Sequence, residues 1–141
     1  MPRIEFHYEL DFRLHNEERT ENWICDAIGS EKAIPGELSF IFVSDEYLLD
    51  LHQRFMNKDS LTDILTFDYS EDGYISGDIF ISVSRVRENA IEYKVEFEEE
   101  LNRVMIHGVL HLLGYDDRDE IARLEMRKKE DEKLKMFHVE Q

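Results

Sequence analysis

The 141-residue chain has a single cysteine, Cys25, so no disulfide can form within it. A small fold stapled by disulfides is excluded, and the thiol is expected to pack as an apolar group beside Trp23 and Ile28. No apolar run approaches the ~20 residues that a membrane helix needs. The opening Met-Pro-Arg-Ile-Glu-Phe reads as the start of a strand rather than a secretory signal, so a cytoplasmic protein with no membrane partner is expected. Repeats, linkers and low-complexity stretches are also missing, and residues 1–141 are expected to form one domain. Basic residues are scarce: 17 Lys and Arg against 33 Asp and Glu give a net charge of −16. A surface of that sign repels polyanions, which proteins normally bind through basic patches that release counterions.

Apolar periodicity organises the rest. Ile4 to Leu10 alternates as a strand does, and a helix is expected from about Asn16 to Ile28, with Gly29-Ser30 as its stop. Pro35-Gly36 is expected to turn the chain into a second strand, Leu38 to Val43. Ser44 then caps a helix whose inward stripe is Leu48, Leu51 and Phe55. Ile64 to Tyr69 and Ile79 to Val83, joined through Ser70 to Gly73, read as an antiparallel hairpin. Helices follow from Ser84 to Tyr93, from about Glu96 to Leu113, and from about Arg118 to Phe137, the last with Ile121, Leu124 and Leu134 inward. Its run Arg127-Lys-Lys-Glu-Asp-Glu-Lys133 alternates in sign and reads as a solvated face. The class is α+β, an about four-stranded mixed sheet packed against several helices.

The most specific segment is His107-Gly-Val-Leu-His111-Leu-Leu-Gly-Tyr-Asp-Asp117. Residues four apart share a helix face, and paired imidazoles with a carboxylate suit zinc or a similar divalent ion. Gly114 can end the helix in the left-handed region, letting the chain double back so that Asp116 or Asp117 meets the ion. Histidines so spaced also occur as ordinary half-buried residues. Here they border the core stripe of Phe97, Leu101, Val104, Met105 and Leu112, where unpaired ionisable groups are costly. Gly108 occupies the position at which a His-Glu-x-x-His peptidase carries its general base, so the ordinary peptidase mechanism lacks its base. Three ligands with an open position would still acidify a bound water and polarise a phosphoryl or carbonyl oxygen.

The segment resembles the signature of the YbeY endoribonuclease family, His-Gly-x-Leu-His-Leu-x-Gly-Tyr-Asp-His, at every fixed position except the last. Lys58-Asp-Ser-Leu-Thr-Asp-Ile-Leu-Thr-Phe67 and Gly77-Asp-Ile-Phe-Ile-Ser82 resemble two further family segments in the right order. The resemblance implies a metal-dependent endoribonuclease that cleaves single-stranded RNA. It further implies maturation of the 3′ end of small-subunit ribosomal RNA, ribosome quality control, and partnership with the ribosome or its associated proteins.

The family's three ligand histidines fall on His107, His111 and Asp117. The carboxylate adds negative charge, acidifies bound water less than imidazole would, and leaves Zn2+ the first expectation while favouring Mn2+, Mg2+ or Fe2+ somewhat more. An alternative reading makes Asp117 a cap of the following helix, and Asp116 a residue of the turn or a partner orienting a histidine. A family arginine linked to activity falls on Met56. Arg54 lies two residues earlier and is the candidate catalytic replacement, with Lys58 as the candidate phosphate contact.

Against the net charge, the resemblance requires the metal's own charge, a local basic rim of Arg54, Lys58, Arg85, Arg87 and Arg103, or delivery by a partner already on the RNA. His7, His15, His52 and His138 read as surface or strand residues, and Asp78 and Thr62-Asp63 as turn residues. Two other functions stay open: a metallohydrolase of another bond, such as a peptide, and a ribosome-bound accessory protein whose metal is structural.

Overall fold

Ile64 and Ile79 press their methyl groups against Gly108, and that contact sets the layering of the molecule. A Cβ at Gly108 would come within 2.9 Å of both isoleucines, so the absent side chain lets a helix lie directly on the sheet. The computed structural model describes residues 3–56 and 63–139. Its sheet comprises β1 (Arg3–Tyr8), β2 (Ile34–Val43), β3 (Ile64–Asp68) and β4 (Tyr74–Ser82) in the order β1-β2-β4-β3. β1 and β4 run parallel to β2, and β3 pairs antiparallel with β4, with Ile64 opposite Ile81. The mixed four-stranded α+β architecture expected from the sequence is therefore observed.

One face of the sheet carries Phe40, Phe42, Ile79 and Ile81, and it is covered by apolar residues of α1 (Glu17–Ser30), α3 (Val83–Tyr93), α4 (Phe97–Leu112) and α5 (Glu120–Val139). The other face carries Ile41, Val43, Leu65 and Phe80 and is covered by the short α2 (Asp45–Leu51) through Leu48. This partition follows from the two-residue strand period. Asn16, Ser44 and Ser82 cap α1, α2 and α3 by accepting backbone N–H bonds from the third residue beyond each.

Three local expectations are corrected. Pro35-Gly36 lies inside β2 rather than in a turn. The ladder shifts register between Pro35 and Leu38, which accommodates the proline, and Ser76 Oγ occupies the space a Cβ at Gly36 would need. Phe55 leaves the stripe of Leu48 and Leu51 because the chain widens into a π-helical turn over His52–Met56, and it is exposed. In α5, Ile121 and Leu124 are 82% and 68% exposed, while Met126, Glu130, Lys133 and Leu134 are buried. The alternating charge run is thus only partly solvated, because two of its members are drawn inward by partners on other elements.

Candidate metal centre

The last two turns of α4 carry the two imidazoles. Nε2 of His107 and Nε2 of His111 stand 3.0 Å apart, with the rings edge to face. α4 ends at Leu112, Gly114 takes φ +106°, and the chain reverses. That reversal brings Oδ2 of Asp117 to 3.5 Å from Nε2 of His107 and 3.7 Å from Nε2 of His111. One donor atom from each of these residues lies within 4.8 Å of the others. Donors at about 2.1 Å from a tetrahedral ion stand about 3.4 Å apart, so the arrangement accepts a divalent ion with little movement. The helix cap belongs to Asp119, which accepts the Ala122 N–H at 2.8 Å, and Asp116 bonds Arg118 within the turn.

A second carboxylate, unrecognised in the sequence, fixes the first imidazole. Oε2 of Glu130 lies 2.7 Å from Nδ1 of His107, and its other oxygen accepts from Arg103 at 2.8 Å. Arg103 also reaches Asp131 at 2.7 Å. Glu130 is only 5% exposed, so its charge is held by those two partners. With the Nδ1 proton committed to Glu130, the Nε2 lone pair of His107 faces the donor cluster. Burial alone would depress the His107 pKa, but the bond and charge of Glu130, with the charges of Asp117 and Asp63, together outweigh it and the pKa rises. Burial and the charge of His107 push His111 the other way.

Asp63, read from sequence as a turn residue, lines the same pocket of about 280 Å³ as His107, Asp117 and Glu130. It accepts from Asn89 Nδ2 at 3.3 Å, and burial raises its pKa. Its signal lay in its place one residue before β3, whose Ile64 touches Gly108. Glu100 shares the pocket, its pKa raised by burial and by Asp63.

The loop bearing Asp117 is anchored by a further network. Tyr115 donates to Oε1 of Glu31 at 2.7 Å, and Oε2 of Glu31 accepts from Lys133 at 2.6 Å and Lys129 at 3.1 Å. Lys133 is 1% exposed and also reaches Ser30 Oγ. α5 therefore braces both the histidine helix, through Glu130, and the aspartate loop, through Glu31.

Other expected residues lie elsewhere. Arg54 pairs with Asp50 at 2.9 Å, and its neighbour Phe55 packs on Phe67 of the α2 side of the sheet. It is not among the residues lining the pocket. Lys58 and Thr62 lie outside the described residues, as does the side chain of His138. Asp78 accepts from the Tyr69 hydroxyl at 3.3 Å. The expected basic rim is only partly neutralised: Arg85 pairs with Glu88 and Arg103 with Glu130 and Asp131, whereas Arg87 keeps its charge over the Phe97 ring, in the lining of a different cavity.

The family model described as Endoribonuclease YbeY matches residues 6–138. A protein of Flavobacterium psychrophilum named Endoribonuclease YbeY is 54% identical over 138 residues, covering 98% of this chain and 99% of its own. One of Flavobacterium johnsoniae with the same name is 50% identical over the same shares. A Thermotoga maritima protein solved in solution superposes with a TM-score of 0.66 at 31% identity, over 99% of this chain and 91% of that one.

Proposed function

The chain belongs to the YbeY endoribonuclease family, and from that premise we propose that it hydrolyses single-stranded RNA at the centre formed by His107, His111 and Asp117. The convergence of these three donors on one point is the observation that carries the reading. A divalent ion held there would polarise a phosphoryl oxygen and supply an acidified water. The donor set suits Zn2+ and, through the carboxylate, Mn2+, Mg2+ or Fe2+.

The chain's own groups do the rest. Glu130 holds His107 in the tautomer that turns Nε2 toward the centre. Asp63, its pKa raised by burial in the same pocket, is the candidate proton acceptor. Gly108 packs against the sheet in the place of a peptidase glutamate, which favours a phosphodiester over a peptide. Arg54 and Lys58 are proposed as phosphate contacts. Arg54 is free to swing toward a substrate at small cost, since its exposed pairing with Asp50 is worth under ~1 kcal/mol. The cellular role that fits is processing of the small-subunit ribosomal RNA in the cytoplasm, with the ribosome or its associated proteins delivering an RNA that the net charge of −16 would otherwise repel. Among the described residues, no helix is long and apolar enough to cross a membrane.

The test is cleavage of a labelled single strand, beside a duplex of the same sequence, by wild type and by His111→Ala purified identically. Cutting of the single strand by wild type alone supports the proposal. No cutting by wild type loaded with metal, with or without ribosomal subunits, overturns it.

A further inference from the structure

A second cavity, of about 350 Å³, opens where the loop after β1, the first turns of α1 and α4, one side of α3 and the end of α5 meet. α4 lines it with Phe97, Glu98, Leu101 and Asn102, whereas the metal-side pocket takes Glu100, Arg103, Val104 and His107 from the same helix. At about 100° per residue these sets point to different sides of α4, so the two cavities are separate.

We propose that this second cavity binds a nucleotide unit, with its phosphate among Arg13, Arg19 and Arg87 and its base against the guanidinium and phenyl planes beside them. Charge is the first ground. In a chain with nearly twice as many carboxylates as cations, five of the seven other arginines, Arg3, Arg54, Arg85, Arg103 and Arg118, pair with an acid. The three arginines of this cavity have no carboxylate partner among the described residues. They lie over aromatic rings instead: Arg13 4.6 Å above Tyr8, Arg19 4.1 Å above Phe137 and Arg87 4.7 Å above Phe97. Among the described residues that line it, Glu98 is the one carboxylate against three arginines, with Glu96 and Glu99 at the adjoining opening.

Hydrogen bonding is the second ground. Arg13 donates to the Phe12 carbonyl and Arg19 to the Phe137 carbonyl, which leaves most of each guanidinium's five donors for an anion. Nε of Arg19 is buried without a hydrogen-bond partner, so an anion in the cavity would be met by the terminal nitrogens of the guanidiniums.

Shape is the third. A guanidinium stacked on a phenyl ring offers its outer face to a base, and the volume falls within the range of small-ligand sites. The same chemistry is presented by a free mononucleotide and by a nucleotide within an RNA strand, and neither requires the metal centre to be correct.

Binding of a fluorescent adenosine 5′-monophosphate and of a labelled single-stranded oligoribonucleotide would be measured on the full-length His111→Ala chain, with and without Arg13→Ala plus Arg87→Ala. Both arginines are exposed, so the fold should survive, and a thermal melt checks it. The expected result is an affinity loss of about tenfold or more, with the salt slope shallower by about 1–2. Loss for the RNA assigns the site to a strand, and loss confined to the mononucleotide assigns it to a free nucleotide. Unaltered affinity for both probes, or no binding of either before substitution, overturns the proposal.

Discussion

Glu130, on the last helix, holds Nδ1 of His107 at 2.7 Å while its other oxygen takes the Arg103 guanidinium. Partners of this kind orient a ligating imidazole and raise its basicity, and their loss typically costs 10–100-fold in metal affinity. Glu130→Gln keeps the shape and removes the charge. Chelator competition with Zn2+ or Mn2+ should show weaker binding by about that factor, with the two histidines still present. Undiminished affinity would reduce Glu130 to an anchor for Arg103.

Asp117 supplies the negative donor of the cluster. Asp117→His replaces a carboxylate by neutral imidazole, so the centre becomes softer and less negative. The expected outcome is a shift of relative affinity from Mn2+ toward Zn2+, while Asp117→Ala weakens both. Titration of each variant with the two ions checks this; equal affinities in wild type and Asp117→Ala would remove Asp117 from the ligand set.

Much of this centre was legible because its signals are local. The four-residue histidine spacing, the glycine that ends α4 and the aspartate just after it all lie within one short segment. Glu130 was not legible, since it sits in a charge run whose alternation normally marks a solvated face, and its role appears only when α5 folds back along α4. Asp63 was obscured likewise, because its burial comes from the packing of β3 and α3 around it. The hairpin of β3 and β4 followed from strand-like runs around a turn, yet Pro35-Gly36 misled: punctuation by proline and glycine does not distinguish a turn from a bulge within a strand. Phe55 misled for a related reason, since the stripe assumed an unbroken 3.6-residue period.

Gly108 has a packing role independent of chemistry. A methyl group there would meet Ile64 and Ile79 at 2.9 Å, and although these are side-chain ends, the surrounding core is close-packed. Gly108→Ala is expected to cost about 1–3 kcal/mol by overpacking, less about 1 kcal/mol returned by better helix propensity. A thermal melt should fall by several degrees. An unchanged melt would mean that the isoleucines rotate away freely.

Arg54, proposed as a phosphate contact, pairs with Asp50 and does not line the pocket. If it swings from Asp50 to an RNA phosphate, Arg54→Ala should lower the cleavage rate about tenfold or more while leaving metal content intact. Equal cleavage by the variant would return Arg54 to its surface ion pair and leave the phosphate contact to Lys58.

The Glu31 network predicts how the fold responds to acid. Burial alone would raise the Glu31 pKa, but bonds from Lys133, Tyr115 and Lys129 bring it down from 4.5 to about 2. A folded pKa below the unfolded value means stabilisation that is fully present above pH 4.5 and is lost as pH falls toward 2. Glu31→Gln removes that dependence, so the variant should be less stable than wild type at neutral pH, with the difference narrowing between pH 4.5 and 2. Denaturant melts across that range read the effect directly. The substitution also leaves the buried Lys133 ammonium with Glu132 as its remaining carboxylate partner, and the cost of that imbalance persists at every pH where lysine is charged. A gap that fails to narrow in acid would mean that these bonds do not hold the Glu31 carboxyl below its ordinary range.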